Sequence, residues 1–172
     1  ENIKMFQQFG LEILWTDKNT KRNKKIHPLI TMLQDEDYLL FADDDLYYHP
    51  DWVSRLVDGY RINNSPVCFW ILRQYNHPIS TDKRTYFTED FRWLDQCETD
   101  GFEYGIVDPS FVPGSGMGIC FKVKDCSPEI RNFNFCDNLM QNDDEVIIWH
   151  CLICNNRRFK RIHFACVDFV DW

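Results

Sequence analysis

Short apolar runs separated by polar segments dominate the chain, and their lengths predict alternating strands and helices. The continuous apolar run at residues 38–42 is typical of a strand buried on both faces. Further strands are predicted at 67–72, at 118–123 and, as one strand or two short ones, within 159–169. Helices are predicted at 51–60, with one apolar face, and at 143–155, apolar nearly all round. This alternation predicts an α/β domain with a largely parallel sheet.

The remaining segments are shorter or less regular. A helix over residues 2–9 is expected to end at Gly10, and residues 11–15 are predicted to form a short strand. A polar loop at 16–23 precedes a predicted helix at 26–33, with Pro28 in its first turn. Residues 73–112 are rich in aromatic residues but lack a period, which is typical of a functional loop.

Length and composition limit the class of protein. A chain of 172 residues with 44% apolar residues is expected to form one packed domain over residues 1–172. The net charge of −8 argues against general nucleic-acid binding, and no apolar stretch is long enough to span a bilayer. Because the sequence starts at Glu1, we expect the domain to be incomplete at its N-terminus.

Three consecutive carboxylates, Asp43, Asp44 and Asp45, follow the apolar run at 38–42. In open α/β sheets, ligands bind beyond the carboxyl ends of strands, where these acids are expected to lie. Clustered carboxylates repel one another unless a cation lies between them, and hard oxygen ligands suit Mg²⁺ or Mn²⁺. We interpret the triplet as a metal–diphosphate site; the alternative is an acidic turn that ends a strand.

Two further segments have the composition of a site. Residues 113–118 contain Gly114, Ser115 and Gly116, which allow the backbone to approach a ligand closely, although a plain hairpin has the same signature. Asp143 and Asp144 open the predicted helix at 143–155. They are good capping residues, and one of them is also a candidate general base.

The eight cysteines lie partly inside apolar runs and lack the spacing of a secreted disulfide framework. They predict reduced thiols in a cytoplasmic protein. One subset has spacing tolerable for structural zinc, although a buried helical face also explains its first two members. That subset comprises Cys151, Cys154, His163 and Cys166.

Taken in order, these segments resemble bacterial glycosyltransferases of the GT-A fold that act on surface polysaccharide or lipooligosaccharide. The resemblance covers most of residues 10–162 and rests on four stretches: Lys24–Pro28, Phe41–Tyr48, Pro113–Gly118 and Asn142–Trp149. It implies a three-layer sandwich with a mostly parallel sheet. It also implies a metal-dependent enzyme that transfers a sugar from a nucleotide-diphosphate donor, with a UDP-sugar favoured, to a glycan or lipid-linked acceptor.

The resemblance also implies roles for individual residues. Asp43 and Asp45 would be the ends of a DxD motif, with Asp43 facing the donor's ribose and both belonging to the set that holds Mn²⁺ or Mg²⁺. Substrate-binding roles would fall to Asp44, Lys25, Gly114, Ser115 and Gly116. The base would be Asp143 or Asp144.

Other functions share some of these features. An inactive GT-A-like binding module would retain the fold without turnover, and a metal-dependent nuclease or nucleotidyltransferase would also cluster acids. The basic stretch at 157–161 could touch anionic lipid, or be a solvated face. The expected location is therefore cytoplasmic, with peripheral contact at the inner membrane face as one possibility.

Overall fold

The structure, a computed structural model, describes residues 2–17, 19, 21–43, 46–69, 71–74, 91–93, 111–114, 116, 118–139, 144–162 and 167–169. Five helices lie in these ranges: α1 (Asn2–Gln8), α2 (Leu29–Met32), α3 (Trp52–Asn63), α4 (Phe133–Leu139) and α5 (Asp144–Cys154). The strands are β1 (Tyr38–Leu40), β2 (Leu46–Tyr48), β3 (Val67–Cys68), β4 (Ile71–Gln74), β5 (Phe91–Trp93), β6 (Phe111–Pro113), β7 (Ile119–Lys122), β8 (Lys160–Arg161) and β9 (Val167–Phe169). A 3₁₀ helix spans Lys21–Lys25.

The central sheet has four strands in the order β1-β7-β3-β8. Strand β7 is antiparallel to both of its neighbours, and β3 and β8 are parallel. The presence of helices and a mixed sheet confirms the α/β class. The expectation of a mostly parallel sheet is wrong. The reason is that a central strand covered on both faces is continuously apolar in either direction, so its composition does not reveal its orientation.

Helices cover both faces of this sheet because its side chains alternate between them. On one face, Leu39 and Phe121 join Ile147 of α5 in the larger apolar core. On the other face, Cys120 packs with Trp52 and with other residues of α3. The arrangement has three layers.

Helix α3 shows how the local sequence produces this packing. Trp52, Leu56 and Tyr60 recur every four residues and are buried, so one stripe of the helix faces the sheet. The helix continues three residues beyond the predicted end and stops where Asn64 adopts a left-handed conformation with φ of 47°.

Two sequence predictions are wrong in detail. Residues 11–15 form no strand, and the large side chain of Trp15 is 82% exposed. The predicted strand at 67–72 is divided between β3 of the central sheet and β4 of a separate sheet with the order β5-β4-β6. An apolar run does not show where the chain leaves one sheet for another.

The other elements largely follow expectation. Helix α1 ends just before Gly10, which has φ of +91°. Helix α2 occupies only part of the predicted helix at 26–33, and the segment at 159–169 forms the two short strands β8 and β9. Within the described residues, no helix has the length and apolarity needed to cross a membrane.

Candidate functional site

Strand β1 places Asp43 at the centre of the candidate site. The buried Phe41 anchors the chain just past the strand, and two residues later the Asp43 side chain is about one-third exposed, at 34%. Its carboxylate is therefore held by the core but accessible from outside. This is the position beyond a strand's carboxyl end that the sequence predicts.

Lys25 lies beside this carboxylate. It ends the 3₁₀ helix Lys21–Lys25, and its Nζ lies 2.5 Å from Oδ1 of Asp43, to which it donates a hydrogen bond. Such a charge-assisted bond is stronger than a neutral one. The pair therefore joins the segment before β1 to the segment after it.

Asp144 approaches the same ammonium group from a different element. It is the first residue of α5, and its side chain is 2% exposed. Its Oδ2 lies 3.9 Å from Lys25 Nζ. The N-terminus of a helix stabilises negative charge, so a buried carboxylate is favoured at this position. Two carboxylates from distant parts of the chain thus share one positive charge.

The electrostatics of Lys25 reflect this arrangement. Burial lowers the pKa of Lys25, but the hydrogen bond with Asp43 and the charges of Asp144, Asp43 and Glu145 outweigh it. The net effect raises the pKa above its ordinary value. The side chain is therefore protonated at neutral pH and lies close to both acids.

The glycine-rich loop closes against Asp43. A Cβ built on Gly116 would clash with the Asp43 carboxylate, so only glycine permits this approach. Gly114 directly follows β6 and is also buried. Gly116 therefore lies directly against the Asp43 carboxylate.

Tyr48 is a site residue that sequence reasoning missed. Its hydroxyl accepts a 2.6 Å hydrogen bond from the backbone N–H of Asp43 and donates one of 2.6 Å to the carbonyl oxygen of Gly116. Its ring lies 4.5 Å from that of Trp52. The sequence signal, a tyrosine pair soon after the acidic triplet, does not distinguish Tyr48 from the exposed Tyr47.

The structure therefore brings together four of the predicted site residues: Lys25, Asp43, Gly116 and Asp144. Gly114 is described and buried just after β6, and the remaining four lie outside the described residues: Asp44, Asp45, Ser115 and Asp143. Their roles stay predictions.

The predicted zinc set is only partly described. Cys151 is buried, Cys154 is exposed, and His163 and Cys166 lie outside the described residues. Within the described ranges, no group of three or more His, Cys, Asp or Glu residues could hold a metal ion. The six cysteines in those ranges are free thiols.

The basic stretch at 157–161 contains two arginines with internal partners. Arg157 Nε donates a 2.8 Å hydrogen bond to the buried Asp125, and Arg161 Nε donates one of 3.3 Å to the carbonyl of Phe69. These two side chains stabilise the fold, whereas contact of the stretch with lipid stays a prediction.

Comparison with known proteins gives one partial similarity. The chain is 33% identical over 73 residues to a glucosyl-dolichyl phosphate glucuronosyltransferase from Haloferax volcanii. The match covers 38% of this chain and 20% of that relative. No family model matches the chain, and no solved structure matches it. The similarity is thus to a glycosyltransferase, over part of its length.

Proposed function

We propose that this protein is a glycosyltransferase that moves a sugar from a nucleotide-diphosphate donor to a hydroxyl group of a glycan or lipid-linked acceptor. The proposal includes a GT-A-like fold and dependence on Mn²⁺ or Mg²⁺. The observation that carries it is the convergence of Asp43 and Asp144 on Lys25, next to Gly116. The partial similarity to a glucuronosyltransferase supports the same class of reaction.

The residues at the site suit a hard divalent cation. Asp43 supplies oxygen ligands, and the Asp43 and Asp144 carboxylates already lie next to one positive charge, that of Lys25. Mg²⁺ is usually bound through one or two carboxylates plus substrate phosphates. Asp43, together with Asp45, would hold the ion. When bound, it would neutralise charge on the departing diphosphate.

Asp144 is the proposed base because it is ionisable, buried and held at the start of α5. Its carboxylate would take the proton of the acceptor hydroxyl. The acceptor oxygen would then form a bond to the anomeric carbon as the bond from that carbon to the diphosphate oxygen breaks. The nucleoside diphosphate would leave with the bonding electron pair. Lys25, a cation in contact with Asp43, would hold the two acids in place and attract the anionic donor.

The relative's name supports a lipid-linked acceptor. That protein is described as acting on glucosyl-dolichyl phosphate, a lipid-linked sugar. A lipid-linked acceptor is accordingly our first candidate here, and it is compatible with the predicted position at the cytoplasmic face of a membrane.

The test is release of UDP from UDP-glucuronate and UDP-glucose, with Mn²⁺ or with EDTA, in the presence of glucosyl-dolichyl phosphate. We expect Mn²⁺-dependent release that Asp144→Asn lowers by about 10²–10⁴-fold, the range for loss of a general base. The matched control is Glu145→Gln, which removes the neighbouring acid of the same helix and should retain most of the rate.

Three results would contradict the proposal. Full activity of Asp144→Asn would eliminate this base, and an equal loss in Glu145→Gln would show a general charge effect. Tight binding of UDP and Mn²⁺ without release from either donor would favour an inactive binding module.

A further inference from the structure

We infer that a pocket separate from the acidic site binds a neutral sugar ring. The acidic site is the group formed by Lys25, Asp43, Gly116 and Asp144. The pocket has a volume of about 410 Å³ and lies between residues 16–17, the start of α2 and the start of α4. Ligand pockets generally span about 300–1,000 Å³, so it is large enough for a small molecule. The inference goes beyond the proposed transfer reaction and does not require it.

The lining combines one aromatic ring with uncharged and acidic polar groups. Phe133 supplies the ring, and Asp17, Thr16 and Asn134 supply polar side chains. Sugars present apolar C–H faces and a rim of hydroxyl groups, so a ring flanked by hydrogen-bonding side chains matches both surfaces.

His27 adds a buried hydrogen-bonding group at the same place. It lines the pocket, is 5% exposed and packs edge-on against Phe133, with ring centroids 5.5 Å apart. Among the residues that the structure describes, none is a hydrogen-bond partner of its Nε2. A buried polar atom without a partner is costly, so a ligand hydroxyl group that reached this nitrogen would relieve that cost.

The protonation state of His27 bears on the charge of the ligand that the pocket can bind. Burial lowers the pKa of His27, and the hydrogen bond with the Ile130 carbonyl only partly opposes this. The ring is therefore neutral at pH 7. With one ring nitrogen donating to that carbonyl, the other is an acceptor that requires a donor.

The charge of the described lining disfavours an anionic ligand. Among the described residues that line the pocket, Asp17 carries a negative charge and none carries a positive one. A phosphate or carboxylate would be repelled, whereas hydroxyl groups would donate to Asp17 and to an imidazole acceptor. The chemistry selects a neutral polyol over a nucleotide or an acidic sugar.

The experiment is saturation-transfer NMR on the full chain with the methyl glycosides of glucose, galactose and mannose. Glucuronate and inorganic phosphate serve as anionic probes. We expect at least one neutral glycoside to give a saturable signal and both anions to give none. Asp17→Asn and Phe133→Leu should each weaken that binding by about five- to tenfold, the effect of one lost hydrogen bond or ring contact.

Two controls separate this pocket from the acidic site. Glu12→Gln removes an exposed charge five residues before Asp17 in the sequence that does not line the pocket, and Asp43→Asn alters the acidic site. Both should bind the glycoside as the natural chain does. The inference is overturned if no neutral glycoside binds, if an anion binds more tightly, or if Asp43→Asn abolishes the signal while Asp17→Asn does not. The proposed transferase would survive any of these results.

Discussion

The hydroxyl group of Tyr48 lies 2.6 Å from the carbonyl oxygen of Gly116 and so joins strand β2 to the glycine-rich loop. Because the hydroxyl oxygen of Tyr48 also accepts a hydrogen bond from the Asp43 N–H, one side chain connects Asp43 to Gly116. Tyr48→Phe should lower the free energy of unfolding by about 1–2 kcal/mol, since two partly buried backbone groups lose a partner.

Chemical denaturation of the Tyr48→Phe variant would measure this loss. The matched control is Tyr47→Phe, because Tyr47 is the adjacent tyrosine and is 59% exposed. It should change stability by less than about 0.5 kcal/mol. Equal effects of the two substitutions would contradict the bridging role of Tyr48.

The close approach of Gly116 to Asp43 makes a second prediction. Gly116→Ala should destabilise the fold by about 1–3 kcal/mol, because the new methyl group must displace the carboxylate. In an Asp43→Ala background the displaced group is absent, so the same substitution should cost much less. A double-mutant cycle from denaturation curves measures this coupling. Additive effects would show that the methyl group meets no obstacle at Asp43.

Lys25 is expected to compete with a metal ion. Lys25→Met removes the positive charge and retains an apolar stem. It should raise the affinity for Mn²⁺ by about three- to tenfold, a modest effect because Lys25 and Asp43 are each about one-third exposed. Calorimetric titration with Mn²⁺ provides the measurement. Lys24→Met, at the exposed neighbour, should leave the affinity unchanged. Weaker binding in Lys25→Met would mean that the ammonium does not compete with the ion.

Buried His27 predicts a pH dependence of stability. Burial lowers its pKa in the folded state from the ordinary value of 6.5. The unfolded chain therefore binds more protons, and stability should fall as the pH decreases below 6.5 towards the folded pKa, by at most about 1.4 kcal/mol per pH unit.

Urea denaturation between pH 7.5 and pH 5 tests this slope. The change of the unfolding free energy with pH should become shallower in His27→Gln. It should stay the same in His49→Gln, which alters an exposed histidine. An unchanged slope in His27→Gln would assign the pH dependence to other groups.

The buried Asp125 links the end of strand β7 to the segment that follows helix α5. Its side chain is 2% exposed and accepts hydrogen bonds from Arg157 Nε at 2.8 Å and from the Lys122 N–H at 2.9 Å. Asp125→Ala should cost about 2–4 kcal/mol in the free energy of unfolding, because it leaves the partners of a buried carboxylate unpaired.

Asp58 provides the contrasting case for denaturation measurements. It pairs with Arg61 at 3.3 Å, but both side chains are at least 60% exposed. Asp58→Ala should therefore cost less than about 0.5 kcal/mol. A similar loss of stability in the two variants would show that burial does not determine how much these ion pairs contribute to the free energy of unfolding.

Local sequence was sufficient to predict the α/β class, most helices and the position of Asp43 beyond a buried strand. These features depend on residues close together along the chain: an apolar run followed by acids, or a four-residue spacing such as that of Trp52, Leu56 and Tyr60. The same local reasoning placed Asp144 at the start of α5.

Only the tertiary structure showed three further features. They are the orientation of β7, the division of residues 67–74 between two sheets, and the contact of Lys25 with Asp43 and Asp144. The role of Tyr48 was another such feature. Each depends on which distant segments become neighbours. A strand with two covered faces is apolar in either direction, and a charged or phenolic side chain gains its partner only when another element approaches it.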